Sequence, residues 1–240
     1  MNTKIDWHYH LSGRNIKQDS IELEKYIKDK NMDNVYVMAT YFPENGSGVS
    51  NFNVYHHIKN IKKTKMYISL DFENYYFMGI NEIETMLSDN IIKEKIIGIK
   101  IYTGYQNIDL NSDKFNKIMQ IAENNNLYVM FHTGYLKGNK TNFNPISLDE
   151  VISKYFNITF IIAHLGNPFI NESIYLLNKH ENLYTDISGL VDKRVEINDT
   201  MKRVEKLYNG IGKIDNKILF GTDFPMQDYD TTLIFSELIK

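Results

Sequence analysis

Eight short, nearly continuous apolar and β-branched runs recur along the chain, at 4–6, 35–40, 66–71, 96–101, 127–131, 158–163, 183–187 and 218–220. Strands buried on both faces of a parallel sheet read this way, whereas strands with one wet face alternate apolar and polar residues. Helix-like segments lie between the runs. Residues 20–30 place Ile21, Leu23, Tyr26 and Ile27 on one side, with lysines and glutamates opposite. Residues 112–125 place Phe115, Ile118, Met119 and Ala122 at helical spacing, with Ser112 as the cap. The stretches 147–155 and 198–208 follow the same rule, 80–92 is a weaker example, and 231–240 supplies an eighth helix. Strand and helix alternating eight times predict a single (β/α)8 TIM barrel, an α/β fold spanning 1–240 as one domain. The length of 240 residues fits the roughly 250 typical of such barrels. A doubly wound open sheet is the competing architecture. Its nucleotide-binding form carries a glycine-rich first turn, and here the first strand runs into WHYHLSG instead.

Composition narrows the function classes. The formal net charge of −3 and pI of about 6.2 carry no nucleic-acid footprint. There are no cysteines, so disulfides and thiolate metal sites are excluded, and a metal must be held by His, Asp, Glu or a modified Lys. The N-terminus is charged and polar, without an apolar signal core, and no window has the length of a membrane span. The expectation is a cytoplasmic enzyme with a small-molecule substrate and neither nucleic acid nor membrane as partner. Barrels of this kind often form homodimers, although no interface signature stands out.

Chemistry-bearing residues collect at the strand ends. Asp6-Trp7-His8-Tyr9-His10 closes the first run, and strand alternation predicts Asp6, His8 and His10 on one face. The fifth run ends at His132, the sixth at His164 and the eighth at Asp223, while Asp186 ends the seventh. Barrel strand tips converge on one mouth, where barrel enzymes place their sites. Taken singly, His132 or His164 reads equally well as a satisfied core histidine, and Asp223 as a turn cap before Pro225. Four histidines and an aspartate at tips one, five, six and eight are hard to attribute to packing. The other histidines, His56, His57 and His180, fall in helical segments. The loop at 43–50 (PENGSGVS) follows the second strand and borders the same mouth.

The combination of DWHYH, HTG, AHLGNP and GTDFP, in this order over essentially the whole chain, resembles the amidohydrolase superfamily. It is most similar to the amidohydrolase-related branch that includes aminocarboxymuconate-semialdehyde decarboxylase and other metal-dependent hydrolases. The resemblance implies His8, His10, His132 and Asp223 as ligands of one divalent metal ion, with Zn²⁺ the leading candidate. It also implies Asp223 and His164 as catalytic groups acting on a metal-activated water. Lys100 lies near the end of the fourth run. In two-metal members a lysine at this place is carboxylated and bridges both metals, so a second metal is the alternative to an electrostatic or substrate-binding Lys100. Pairing of Lys100 with Asp71 inside the barrel is the bland reading. Arg14 and Tyr102 are the further substrate-binding candidates, Arg14 equally readable as a solvated loop residue and Tyr102 as one of 17 tyrosines.

The expected reaction is hydrolysis of an amide, lactone or related carbonyl bond. The alternative is decarboxylation of a small carboxylic acid with the same residues. A metal-dependent deoxyribonuclease or phosphoesterase is less favoured, because those relatives usually carry a glutamate where this chain has Lys100. A non-catalytic metal- or small-molecule-binding barrel is the rival from another class, and it has no need of both Asp223 and His164.

Overall fold

The computed structural model describes residues 3–12, 15–40, 49–72, 79–134, 142–190, 197–210, 215–225, 227, 229–230 and 232–233. Eight parallel strands pair in sequence order. They are β1 (Ile5–His10), β2 (Asn34–Met38), β3 (Thr64–Ser69), β4 (Ile96–Ile101), β5 (Tyr128–Phe131), β6 (Phe160–Ile162), β7 (Leu183–Asp186) and β8 (Ile218–Leu219). The segment after β8 returns to β1 and closes the cylinder: Trp7 N–H donates to Phe220 O at 2.9 Å, Asp223 N–H to His8 O at 2.7 Å and His10 N–H to Phe224 O at 2.8 Å. The expected (β/α)8 barrel is therefore the observed fold.

The helices around it are α1 (Ile16–Asp29), α2 (Asn51–Ile58), α3 (Ile80–Ser88), α4 (Asn90–Lys93), α5 (Asp113–Asn124), α6 (Asp149–Lys154), α7 (Ile170–Lys179) and α8 (Ile197–Gly210). Ser112 caps α5 by accepting from Phe115 N–H, as the sequence predicts. The stretch expected as one helix at 80–92 divides at Asp89, whose carboxylate accepts from Ile91 and Ile92 N–H and starts α4 afresh. The expected helix at 147–155 opens instead with a tight 3-10 turn at Pro145–Leu148 before α6. His56 and His57 lie in the last turn of α2, whereas His180 follows α7 in extended backbone. Most of 231–240 and of the 43–50 loop, and Arg14 with them, lie outside the described residues. No described helix is long and apolar enough to cross a membrane.

Two apolar layers hold the barrel. The larger fills the space between sheet and helices, with Val35, Ile68, Ile99, Phe131 and Ile162 fully buried in it. The smaller fills the cylinder with Tyr36, Met38, Tyr67, Met130, Ile161 and Ala163, joined by Trp7. The Trp7 ring meets Tyr36 and Tyr128 edge to face at 4.9 and 5.3 Å.

Two bulges set the side chains above this plug. Between β1 and β2, Asp6 pairs with Val35 but Tyr9 with Val37, so β1 carries one extra residue. Trp7 and His8 then both face inward. Asp6 is left on the helix side, where its carboxylate accepts from Tyr26 Oη of α1 at 2.8 Å. The expectation that Asp6 shares a face with His8 and His10 is thus corrected: strand alternation fails at the bulge. Between β3 and β4 the same shift occurs, with Met66 opposite Ile96 but Tyr67 opposite Gly98. Gly98 makes room there, since a Cβ would stand 2.5 Å from the Tyr67 ring and 2.6 Å from Tyr128 O. Lys100, opposite Ser69, is thereby aimed into the barrel beneath the mouth.

Candidate metal centre at the barrel mouth

His8 is almost fully buried at 1% exposure and is held from behind. Its Nδ1 lies 2.9 Å from Asp186 Oδ2 and 3.0 Å from Ser188 Oγ. Burial, followed by the Lys100 charge, lowers its pKa to about 3, against the opposing pull of Asp186. The ring is therefore a neutral imidazole at neutral pH. A proton on Nδ1, donated to Asp186, leaves the Nε2 lone pair facing outward. That nitrogen stands 3.1 Å from His10 Nε2 and 3.6 Å from Asp223 Oδ1, while His10 Nε2 is 3.2 Å from the same oxygen. His10 is braced through Nδ1 against Thr40 Oγ1 at 3.0 Å.

Three electron-rich atoms this close need a proton or a cation among them. Two ligands of a tetrahedral zinc ion, each about 2.1 Å from it, stand roughly 3.4 Å apart, which is the spacing seen. The donor set, imidazole and carboxylate without thiolate, suits a borderline divalent ion. The fit to a metal is therefore good.

Asp223 is placed by the turn after β8. Its backbone is left-handed, with φ of 55°, an uncommon conformation that aspartate tolerates better than most residues. Asp6 fixes this turn by accepting from Thr222 N–H at 3.1 Å and Thr222 Oγ at 2.7 Å, and also accepts from His8 N–H at 3.1 Å. One buried carboxylate thus ties the first ligand strand to the last. Burial pushes the Asp6 carboxyl up to about 6, against the lowering effect of these hydrogen bonds. For Asp223 burial acts upward too, but the hydrogen bond from His10 and the charges of the neighbouring histidines outweigh it, and its carboxyl lies well below the usual range.

His164 completes the group. Donor atoms of His8, His164 and Asp223 all lie within 4.8 Å of one another, forming a candidate His/His/Asp metal site. His164, Leu165 and Gly166 are consecutively left-handed, with φ of 59°, 49° and 66°, and this turn aims the imidazole across the mouth. Its Nδ1 faces Ser188 O at 3.0 Å, and the His164 backbone N–H donates to Asp186 Oδ1 at 3.0 Å. Asp186 also accepts from Ser188 N–H at 3.0 Å and from Ser188 Oγ. Burial alone would raise the Asp186 carboxyl, but His8, His164 and Lys100 hold it well below its ordinary value. His132 stands beside this group, its ring 5.0 Å from that of His164 and 4.9 Å from that of Tyr105. Gly134 permits the approach of the loops after β5 and β6, because its φ is 80° and a Cβ would lie 2.0 Å from Asn167 O.

The mouth therefore gathers His8, His10, His164 and Asp223 by donor distance, and His132 by ring contact. Two of the expected substrate contacts, Tyr102 and Lys100, are buried. Tyr102 is 2% exposed and donates its hydroxyl to Ala39 O at 2.9 Å, so it packs the wall. Lys100 is fully buried, and its Nζ has no hydrogen-bond partner among the described residues. Burial lowers its pKa to about 8, opposed by the Asp186 and Asp223 charges. Its charge is felt by both of these carboxylates. Sequence reasoning gave Asp186 no firm role and passed over Ser188 and Thr40. The YTDISG strand end signals Asp186, whereas nothing local marks the others.

A family model described as amidohydrolase matches residues 87–235, more than half of the chain. The chain belongs to the amidohydrolase family and is an enzyme of that superfamily. Among solved structures, a probable 2-pyrone-4,6-dicarboxylic acid hydrolase from Acinetobacter baumannii with citric acid bound has a TM-score of 0.70 at 17% identity, over 99% of this chain and 92% of that one. A dihydroorotase from Campylobacter jejuni gives 0.57 at 18%, over 92% and 68%. A 2,6-dihydroxybenzoate decarboxylase complexed with 2,6-dihydroxybenzoate gives 0.63 at 10%, over 97% and 90%. At these identities the likeness is one of fold. No curated protein matches the chain.

Proposed function

We propose that this chain is a metal-dependent hydrolase that cleaves an amide, lactone or related carbonyl bond of a small molecule. The observation that carries the reading is the convergence of His8 Nε2, His10 Nε2 and Asp223 Oδ1 within 3.1–3.6 Å at the barrel mouth. His8, His10 and Asp223 would hold the ion, with His132 or His164 as the remaining imidazole. A bound divalent ion of the zinc type supplies Lewis acidity, polarising a carbonyl and bringing the pKa of water from about 15.7 toward 7.

The chain's own residues account for the remaining steps. Asp223 is ionised and faces the ligand nitrogens, so its carboxylate can take a proton from the attacking water and return it to the leaving group. With Nδ1–H donated to Ser188 O, His164 turns Nε2 toward the mouth, where it acts as acid or base or steadies a developing oxyanion. Asp186 keeps His8 in one tautomer and positions His164 through its backbone.

Decarboxylation of a small carboxylic acid is the second reading, supported by the fold it shares with 2,6-dihydroxybenzoate decarboxylase. Elemental analysis of protein purified without added metal, paired with a panel of lactones, amides and aryl carboxylic acids, tests both. The expected result is close to one divalent ion per chain and ring opening or amide cleavage lost on chelation. Carbon dioxide release would favour the second reading. Protein with neither metal nor affinity for one would leave a non-catalytic binding barrel.

A further inference from the structure

The underside of the barrel, opposite the metal-centre mouth, carries a second concentration of charge. A cavity of about 300 Å³ opens between the end of α2, the starts of β2 and β3, and α4. Among the described residues Lys59, Lys63, Lys65 and Lys95 line it, with Glu94 as the only acid and Tyr55 as part of the wall. The sequence places lysines at 59, 62, 63 and 65, then at 93 and 95, in a chain whose net charge is −3. The basic patch is therefore local rather than a reflection of the overall charge.

The four lysines divide into two kinds. Lys95 Nζ donates to Ile61 O at 2.8 Å, Thr64 O at 3.3 Å and Thr64 Oγ1 at 3.2 Å, which uses all three of its protons. Lys63 Nζ donates to Met32 O at 2.8 Å. These two are pinned to the backbone, which fixes the positions of their charges beside the cavity. Lys59 and Lys65 have neither hydrogen bonds nor ion pairs from their ammonium groups among the described residues, and Glu94 pairs with none of the four. Lys65 also lies near enough to Lys95 for their like charges to repel, and an anion between them relieves that repulsion.

We propose that this cavity is a binding site for a small multivalent oxyanion, held by Lys59 and Lys65 beside the fixed charges of Lys63 and Lys95. Its volume lies at the lower end of the range for small-molecule pockets, about 300–1,000 Å³, which suits an anion of a few heavy-atom groups. Phosphate and carboxylate sources share this chemistry, and the experiment separates them.

Calorimetric titration of the intact protein with pyrophosphate, and separately with citrate, over a sodium chloride background is the test. The expected result is saturable one-to-one binding of one of them that weakens as salt is raised, and weakens at least tenfold in Lys59→Ala/Lys65→Ala. Lys63 and Lys95 are left intact because they brace backbone carbonyls. Lys59→Met/Lys65→Met, which keeps the aliphatic stems, serves if the alanine pair unfolds. Binding unchanged in the double variant would locate the anion elsewhere, at the metal mouth for instance, and overturn the proposal. Absence of saturable binding of either anion by the wild-type protein would overturn it as well.

Discussion

Asp186 Oδ2 lies 2.9 Å from His8 Nδ1, and both groups are sealed from solvent. This contact settles which nitrogen of His8 is free for a metal. Asp186→Asn keeps the shape but turns an acceptor into an amide donor at that oxygen, forcing the proton onto Nε2. The expected outcome is a metal affinity about 10–100-fold weaker, the usual effect of losing such a partner. Competition with a chromogenic chelator measures it, and an unchanged affinity would mean that Asp186 only braces the loop around Ser188.

Asp223 is expected to serve as both ligand and proton acceptor, while His8 is a ligand alone. Asp223→Asn should then lower turnover by at least about 10²-fold, the scale of general-base catalysis, with the melting temperature close to wild type. His8→Ala should instead lower metal content. Steady-state rates and metal content measured together separate the two roles, and full turnover in Asp223→Asn would remove that residue from the chemistry.

The sequence made the barrel legible because both of its signals are local: continuous apolar runs mark doubly buried strands, and helical spacing marks the cover. The histidines and Asp223 were legible for the same reason, since each ends a run and barrel topology brings such ends together. The bulges were not legible. Asp6 lies two positions before His8 and reads as its neighbour on the strand face, yet an extra residue in β1 sends it to Tyr26 and Thr222. Register depends on the partner strand, which a single run does not specify. Likewise nothing in the residues near Tyr102 announces that its hydroxyl is taken by Ala39 on another strand.

Away from the mouth, Asp149 joins Lys179 and His180 at 2.7 and 2.6 Å, clamping α6 to the end of α7. The hydrogen bond from Lys179 is the largest effect and, with the hydrogen bond from His180 and both positive charges, lowers the Asp149 pKa below its ordinary value against the upward effect of burial. A depressed carboxyl stabilises the fold above its unfolded value and loses that contribution as pH falls through its folded value. Metal-free protein should accordingly lose stability on acidification below about pH 4, and Asp149→Asn should show less of that loss. Because the pair is partly exposed, the difference in melting temperature at neutral pH should be about 1–3 °C. Thermal melts across an acid series, with salt as a second variable, decide it.

Gly98 is the residue whose missing side chain lets the Tyr67 ring fill the cylinder beneath the site. Gly98→Ala puts a Cβ against that ring and against the Tyr128 carbonyl, a backbone atom that cannot swing aside. Overpacking of this kind costs about 1–3 kcal/mol. Chemical denaturation should register that loss, accompanied by weaker metal binding as β4 shifts. A neutral effect would show that the interior yields more readily than its packing suggests.

Lys100 presents the sharpest conflict between stability and function. Its ammonium is buried without a hydrogen bond among the described residues, beneath two carboxylates that it helps to keep ionised. A buried charge lacking close partners costs the fold more than an apolar chain of similar length would. Lys100→Met removes that cost together with the attraction to Asp186 and Asp223, so stability should stay within about 2 kcal/mol of wild type while most of the activity is lost. Denaturant titration and rates measured on one preparation test both halves. Metal content then distinguishes two routes to the loss. An unchanged single ion per chain means that the lysine acts through its field on His8 and Asp186. A fall from two ions to one means that its carboxylated form bridges a second metal. Lower stability together with full activity would make Lys100 a structural residue of the barrel and withdraw it from the site.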